Sequence, residues 1–397
     1  MPNAVIIDSV RTGLAKSFRG GFNITRADDM TAHIVDAMME RNPQVDSSLI
    51  EDIYLGCGNP EGPQGHNIAR NVAVLSKLPI ETGGVTVNRY CSSGLQTVAM
   101  AATQVQSGFA DCLIAGGVES ISTVQGNTNT HMFVNEKIAE TVPGIYHAMG
   151  TTAEKVAKTY KVTRESQDEY SLSSQQKTSQ AQEQGLFDDE IIPMKTRMLL
   201  KNKETGAEKE VDEVVDRDTC NRPETTLEGL ASLNPVFDPE NGSVTAGNSS
   251  QLSDGASVTL VMNEDKAKEL GLKPLSFFRG FTVVGCQPDE MGIGPVFSIP
   301  KLLKSAGLKI EDIDLWELNE AFASQVVYIR DKLNLPSDKL NVNGGSISIG
   351  HPFGMTGSRQ VGHLSRELRR RGGKYGVVTM CVGGGMGAAG LFEAIPE

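Results

Sequence analysis

Ile50-Glu51-Asp52-Ile53-Tyr54-Leu55 returns, with one exchange, as Ile310-Glu311-Asp312-Ile313-Asp314-Leu315. Glu51 stands 40 residues before Cys91 (91 − 51 = 40), and Glu311 stands 40 residues before His351 (351 − 311 = 40). After each copy comes a further strand-like run with a glycine cluster, Gly116-Gly117 in the first and Gly383–Gly385 in the second. A repeat that keeps both its letters and its spacing to a chemically capable side chain predicts a duplicated half-domain. The halves are then related by a pseudo-two-fold axis. Cys91 and His351 take equivalent positions, facing each other across one site.

Working outward, short β-branched runs alternate with helical patterns. Val85–Val87 reads as a strand and Leu95–Gln106 as a helix. Cys112–Ala115 reads as a strand after which Gly116-Gly117 turns the chain, and Gly376–Cys381 as a strand before Gly383–Gly385. This alternation predicts an α/β layered fold. Residues 121–250 have another texture. Stretch 121–147 is polar with isolated apolar residues, 151–184 reads as helices, and 201–216 as a charged hairpin or loop. This is an excursion, a lid or loop domain. The expected division is 1–120, completed by 248–270, then a loop domain over 121–247, then a second half over 271–397.

Bulk properties bound the function. With 397 residues and ordinary apolar content the chain supports a sizeable core. A net charge of −12 opposes nucleic-acid binding. The one basic run, Arg369-Arg370-Arg371 with Lys374, reads as a solvated helix end complementing the dipole. Six scattered cysteines without metal spacing indicate free thiols in a reducing compartment. No apolar run is long enough to cross a membrane, and Ile395-Pro396-Glu397 is not a peroxisomal tripeptide. The expected location is cytoplasmic, with a processed peroxisomal or mitochondrial protein as the alternative.

Four residues carry candidate chemistry. Cys91, where a strand ends and a helix begins, is placed for thiolate stabilisation by the helix dipole, or is a small buried packing residue. His351, among glycines, is a proton acceptor or a turn residue. Cys381 precedes Val382-Gly383-Gly384-Gly385, whose free N–H groups suit an oxyanion hole; it is an acid–base at carbon or a buried strand-end thiol. Asn319 caps a helix or holds a polar oxygen. His363, on an amphipathic helical stretch, reads as a surface residue.

Cys91-Ser92-Ser93-Gly94, Asn319-Glu320-Ala321-Phe322, Gly350-His351-Pro352 and the run from Cys381 to Ala388 occur in one order along the chain. Supporting stretches include Ala115–Ser120, Gly247–Gln251 and Met291–Pro295. The whole sequence resembles the thiolase family, most of all the degradative, peroxisomal-type 3-ketoacyl-CoA thiolases. That resemblance implies a five-layered αβαβα fold of two half-domains plus a loop domain. It implies thiolytic cleavage of a 3-ketoacyl-CoA in fatty-acid β-oxidation through a Cys91 acyl-enzyme. His351 takes the Cys91 proton and Cys381 protonates the departing enolate. One oxyanion is held near His351 and a water on Asn319, the other by the N–H groups of Cys91 and Gly383. Coenzyme A is a substrate, and no metal or redox cofactor is called for.

Carried over for CoA and acyl contacts are Arg222, Ala246, Ser250, Leu252, Met149, Phe237 and Phe322. Two departures, Ala148 where biosynthetic thiolases have histidine and Gly229 where they have serine, point away from the acetoacetyl-CoA-specific subtype, which stays the alternative. A homodimer or dimer of dimers is implied, and a β-oxidation partner enzyme is unidentified. Two rivals predict different residues. A ketoacyl synthase needs a second histidine or an asparagine where Cys381 stands. A non-catalytic acyl-CoA-binding relative predicts loss of at least one of the four residues.

Overall fold

The computed structural model describes residues 2–395; Pro396 and Glu397 of the C-terminal tripeptide lie outside the described residues. Its central feature is a sheet path of nine strands. In spatial order they are Leu315–Leu318, Tyr375–Val382, Met386–Ala394, Ser276–Gly285, Ala4–Arg11, Ser253–Asn263, Cys112–Glu119, Asp52–Cys57 and Gly83–Val87. The path divides naturally in two. Ser276–Gly285 meets Ala4–Arg11 only at Phe277 opposite Val5 and Ser276 opposite Ile6.

On either side the same order and sense recur. In the first half Asp52–Cys57 runs parallel to Cys112–Glu119, which pairs antiparallel with Ser253–Asn263. In the second, Leu315–Leu318 runs parallel to Tyr375–Val382, which pairs antiparallel with Met386–Ala394. The outer strand Gly83–Val87 is reduced in the second half to a single parallel bridge of Leu340 with Trp316.

Three apolar cores make the layers. Helices Ala27–Arg41 and Ile68–Leu75 close the outer face of the first half, contributing Met30, Ile34, Met38 and Val72 to its core. Helices Pro295–Ala306 and Ala323–Leu333 do the same for the second half through Ile299, Leu302, Val326 and Ile329. Between the sheets lie helices Ser93–Gln106 and Thr356–Arg371. Their Leu95, Val98, Ala102, Val361, Leu364 and Leu368 share one core with Leu113 and Val261 of one half and Val378, Met380 and Phe392 of the other. This is the five-layered arrangement of helix, sheet, helix, sheet, helix.

The two central helices touch through glycines. A Cβ on Gly94 would lie 2.7 Å from the Gly354 carbonyl oxygen, and one on Gly357 would lie 2.7 Å from Leu95 Cβ. Any side chain here forces the helices apart.

Two expectations need correction. Gly116-Gly117 do not turn the chain, because the strand runs unbroken from Cys112 to Glu119. These glycines provide clearance instead: a Cβ on Gly117 would collide with the Gly354 carbonyl. The equivalence of Cys91 and His351 is also shifted. The strands begin at 112 and 375 (375 − 112 = 263) and the central helices at 93 and 356 (356 − 93 = 263). By that register the twin of Cys91 is Gly354 and the twin of His351 is Asn88. Both chemical residues lie on the loop entering their central helix, three positions out of step.

The excursion contains helices Met149–Tyr160 and Arg164–Glu183 and a hairpin of Met194–Lys201 with Glu208–Val215. No helix among the described residues is long and apolar enough to cross a membrane.

Candidate active site

Cys91 occupies the 3-10 turn Tyr90–Ser92 that leads into helix Ser93–Gln106. The turn is fixed by polar side chains. Tyr90 N–H donates to Asn88 Oδ1 (2.8 Å), Arg89 N–H to Ser93 Oγ (2.8 Å), and Ser93 Oγ to the Tyr90 carbonyl (2.7 Å). The sulfur is buried, with the backbone N–H groups of Gly383 and of Cys91 itself turned onto it. These are the two donors expected to hold an oxyanion. They favour thiolate, yet loss of water outweighs them, and burial pushes the thiol up to about 11. The expectation that a helix start would favour thiolate is therefore corrected. At rest Cys91 is a thiol and needs a base.

His351 enters the same region from the other half. It is buried, and that burial, with Arg359 adding to it, brings the imidazole down to about 3, so it is neutral at pH 7. Its partners define the tautomer. Thr356 Oγ1 donates to the Pro352 carbonyl (3.0 Å), which can only accept. The same hydroxyl therefore accepts from His351 Nδ1 (2.6 Å). The ring proton sits on Nδ1, and Nε2 carries the lone pair. Asn319 agrees: its Oδ1 accepts from Ser346 Oγ (2.6 Å) and its Nδ2 donates to Nε2 (3.2 Å). Asn319 is not a helix cap, since helix Ala323–Leu333 starts four residues later with Phe322 ahead of it.

Cys381 ends strand Tyr375–Val382 and is fully buried beside Cys91. Burial, with Cys91 adding to it, holds its thiol well above the usual range. It packs with Met149, Ala153, Met291, Ala321 and Phe322. Gly383 follows in a turn whose next two residues have φ of +78° and +82°. A Cβ on Gly383 would lie 3.5 Å from the Tyr90 ring and 3.7 Å from Met149 Sδ.

The residues assigned to CoA divide into two groups. Arg222 and Ala246 line one cleft of about 240 Å³ with Gly229 and Gln251. Ser250 and Leu252 flank Gln251 without lining it, and Leu252 is solvent-exposed. The Gln251 carbonyl accepts from His351 N–H (3.0 Å), so the cleft abuts the histidine. Met149, Phe237 and Phe322 form the second, apolar group. The Phe237 and Phe322 rings meet edge to face at 6.5 Å, and Met149 joins the Phe322–Cys381 cluster.

Several residues escaped the sequence reading. Thr356, five positions after His351, sets its tautomer. Glu119 accepts N–H bonds from Gly58 (2.8 Å), Asn59 (3.1 Å) and Gly354 (2.9 Å), tying together loops of both halves. Glu320 accepts from Tyr170 (2.7 Å), Ser174 (2.7 Å) and Ile347 N–H (3.0 Å), fastening the excursion helix to the Asn319 and His351 loops. Only Glu320's place in the Asn319–Phe322 stretch and Glu119's in Ala115–Ser120 gave any signal.

His363 corrects another expectation. It is buried, not on the surface, with Nδ1 3.1 Å from Glu190 and Nε2 3.1 Å from Asn343 Nδ2. Its helix is the sandwiched central one, so even its polar positions face protein. The basic run does close that helix, with Arg371 paired to Glu367 at 2.9 Å.

A neutral thiol beside a neutral imidazole has a pH signature. Alkylation of unliganded Cys91 by iodoacetamide should rise about ten-fold per pH unit from pH 7 to 9, following the thiolate fraction. Peptide mass spectrometry reads it site by site. A plateau reached below pH 8 would mean a resting Cys91–His351 ion pair instead.

Comparison with known proteins identifies the family and agrees with the fold. Residues 4–265 match the thiolase N-terminal domain and residues 272–394 the thiolase C-terminal domain. A Bacillus subtilis 3-ketoacyl-CoA thiolase is 46% identical over 99% of this chain and 100% of its own. The Arabidopsis thaliana peroxisomal 3-ketoacyl-CoA thiolase 1 is 44% identical over 98% of this chain and 87% of its own. Among solved structures, the dimeric peroxisomal thiolase of Saccharomyces cerevisiae superposes with a TM-score of 0.89 at 36% identity, covering 99% and 98% of the two chains. The Bacillus anthracis acetyl-CoA acetyltransferase gives 0.86 at 37% identity, covering 100% and 99%. The chain belongs to the thiolase family.

Proposed function

We propose that this protein catalyses the reversible thiolytic cleavage of 3-ketoacyl-CoA to acetyl-CoA and a shortened acyl-CoA, as a degradative thiolase of fatty-acid β-oxidation. The observation that carries the reading is two neighbouring buried thiols beside a packed apolar cluster, with a tautomer-defined neutral histidine on the loop that packs against the start of the Cys91 helix. His351 Nε2 accepts the Cys91 proton as the sulfur attacks the 3-keto carbon. The oxyanion formed there lies against the N–H groups of Cys91 and Gly383. The C2–C3 bond breaks, and its electron pair passes to the acetyl-CoA enolate. The enolate oxygen faces His351, which the proton has turned from acceptor into donor, and Asn319. Cys381 gives its proton to C2 and acetyl-CoA leaves. The Cys381 thiolate then takes the proton of the incoming CoA thiol, CoA sulfur attacks the acyl carbon, and His351 returns its proton to the departing Cys91 sulfur, with coenzyme A as the only co-substrate and no metal or redox cofactor called for.

Arg222 and Ala246 receive the CoA handle in the outer cleft, flanked by Ser250 and Leu252. Lys16 is close enough to Arg222, and to Arg19, for mutual repulsion and adds positive charge for the CoA phosphates. Met149, Phe237 and Phe322 surround the acyl end. The acetoacetyl-CoA-specific alternative shares the fold, as the Bacillus anthracis structure illustrates. Ala148 immediately before helix Met149–Tyr160 and Gly229 in the cleft favour the broader enzyme. A homodimer fits both the dimeric yeast relative and the terminal strand Gly83–Val87, whose outer edge ends the sheet. Six free cysteines suit a reducing, cytoplasmic setting.

Intact-protein and peptide mass spectrometry after brief incubation with acetyl-CoA and with a long-chain acyl-CoA tests this reading. Adducts of both on Cys91 are expected. An acetyl adduct alone would assign the narrower subtype, and no adduct on folded protein would remove the catalytic reading.

A further inference from the structure

We propose that the acyl tail of the substrate leaves Cys91 along the Gly383–Gly384 turn, and that Tyr90 and Ile145, which border this turn, set the chain length the enzyme accepts. The proposal rests on the Cys91 acyl-enzyme of the reading above. There the 3-keto oxygen lies against Gly383 N–H, so the tail begins at this turn. Two other directions are taken. The CoA handle comes from the Arg222 cleft, which abuts His351, and C2 must reach Cys381.

The glycines show what borders the path. A methyl group standing on Gly383 would lie 3.5 Å from Cγ and 3.6 Å from Cδ2 of the Tyr90 ring, and 3.7 Å from Met149 Sδ. One standing on Gly384 would lie 3.8 Å from Tyr90 Cε2 and 4.0 Å from Ile145 Cδ1. These are hydrocarbon contact distances, not clashes. One edge of the Tyr90 ring thus follows both glycines, with Met149 at the first and Ile145 at the second. Beyond Ile145 the apolar surface continues, for Tyr146 meets Phe133 edge to face at 5.6 Å, and both are exposed.

Tyr90 itself is unusual. It directly precedes the buried nucleophile, yet its ring is half exposed. Its φ of +44° lies in the left-handed region, which costs a bulky residue free energy. Its N–H on Asn88 and its carbonyl under Ser93 hold it there. A ring fixed in the open at such a cost, beside a side-chain-free turn and the reacting sulfur, has the place of a wall for an alkyl chain.

Thiolysis of acetoacetyl-CoA and of 3-ketooctanoyl-CoA tests this, read as the ratio of the two kcat/KM values. Each methylene held against the wall is worth about four-fold. Ile145→Asp and Tyr90→Ala are each expected to lower the long-to-short ratio at least ten-fold, and Tyr90→Phe, which keeps the ring, to hold it within about three-fold. Ile145→Ala, expected to lower the ratio about three-fold or more, stands in if the aspartate variant does not fold. Both substrates slowing equally, an unmoved ratio, or a Tyr90→Phe ratio as low as that of Tyr90→Ala would overturn the proposal, as would a parent enzyme that cleaves acetoacetyl-CoA alone. Acetylation of Cys91 by acetyl-CoA is the control. Its absence from the parent protein would remove the acyl-enzyme reading itself, whereas an adduct with an unmoved ratio would remove only the assignment of Tyr90 and Ile145.

Discussion

Cys91→Ser should lose thiolysis by on the order of 10³-fold or more, with no acyl adduct on residue 91 at times that saturate the parent enzyme. The size of the effect follows from the environment. Even the Cys91 thiol, pushed up to about 11 by burial, needs a base. A serine hydroxyl is a far weaker acid, and the neutral His351 has little affinity for its proton. The Gly383 and Cys91 N–H groups remain, so the oxyanion pocket survives the exchange, and substrate binding through the Arg222 cleft should change little. The expected signature is therefore a collapse of kcat with KM nearly preserved, measured by release of acetyl-CoA from a 3-ketoacyl-CoA. A serine variant that is acylated at the parental rate would remove Cys91 from the nucleophile's place.

The duplication was legible in letters and spacing that agree on one register, but the folded elements follow another. The matched letters are offset by 260 (310 − 50), the strands and central helices by 263. The folded elements are already 263 apart at the 3-10 turns Ser47–Leu49 and Ile310–Asp312 and at the strand starts Asp52 and Leu315, so the matched letters fall mostly on the strand in the first half and on the preceding turn in the second. A letter match has no means of locating that slip. The glycines were read for local freedom, whereas Gly117, Gly94 and Gly357 are required by what packs against them from the other half. His363 failed for the same reason. An amphipathic pattern identifies a helix with two unlike faces, but a helix between two sheets buries both, and its polar face meets Glu190 and Asn343 rather than water.

The site was legible as a set of residue types and not as an electrostatic arrangement. Cys91, His351, Cys381 and Asn319 are marked by glycines and strand ends, features local in sequence. Their protonation is set by residues remote from them. Burial reverses the effect expected of the helix start on Cys91, and Thr356 decides which nitrogen of His351 is free.

His351→Ala should slow both half-reactions, each by about 10²- to 10⁴-fold, the range of a positioned general base. Acylation slows because no other neutral base accompanies Asn319 and Thr356 at this loop. The carbon step slows because the same Nε2, once protonated, is the donor that faces the enolate oxygen. Truncation also leaves the Thr356 hydroxyl and the Asn319 amide without their shared partner, but Thr356 keeps Pro352 and Asn319 keeps Ser346, so the loop should retain its shape. Two assays on one protein preparation decide it: the acyl burst on Cys91 and C2 exchange of acetyl-CoA, each followed across pH. If the burst alone falls, His351 serves only as the base for sulfur and the enolate is held by other groups. If exchange alone falls, Cys91 loses its proton by another route. A fall in both locates the proton taken from Cys91 on the atom that then stabilises the carbon–carbon cleavage, and so makes one imidazole serve two successive charges.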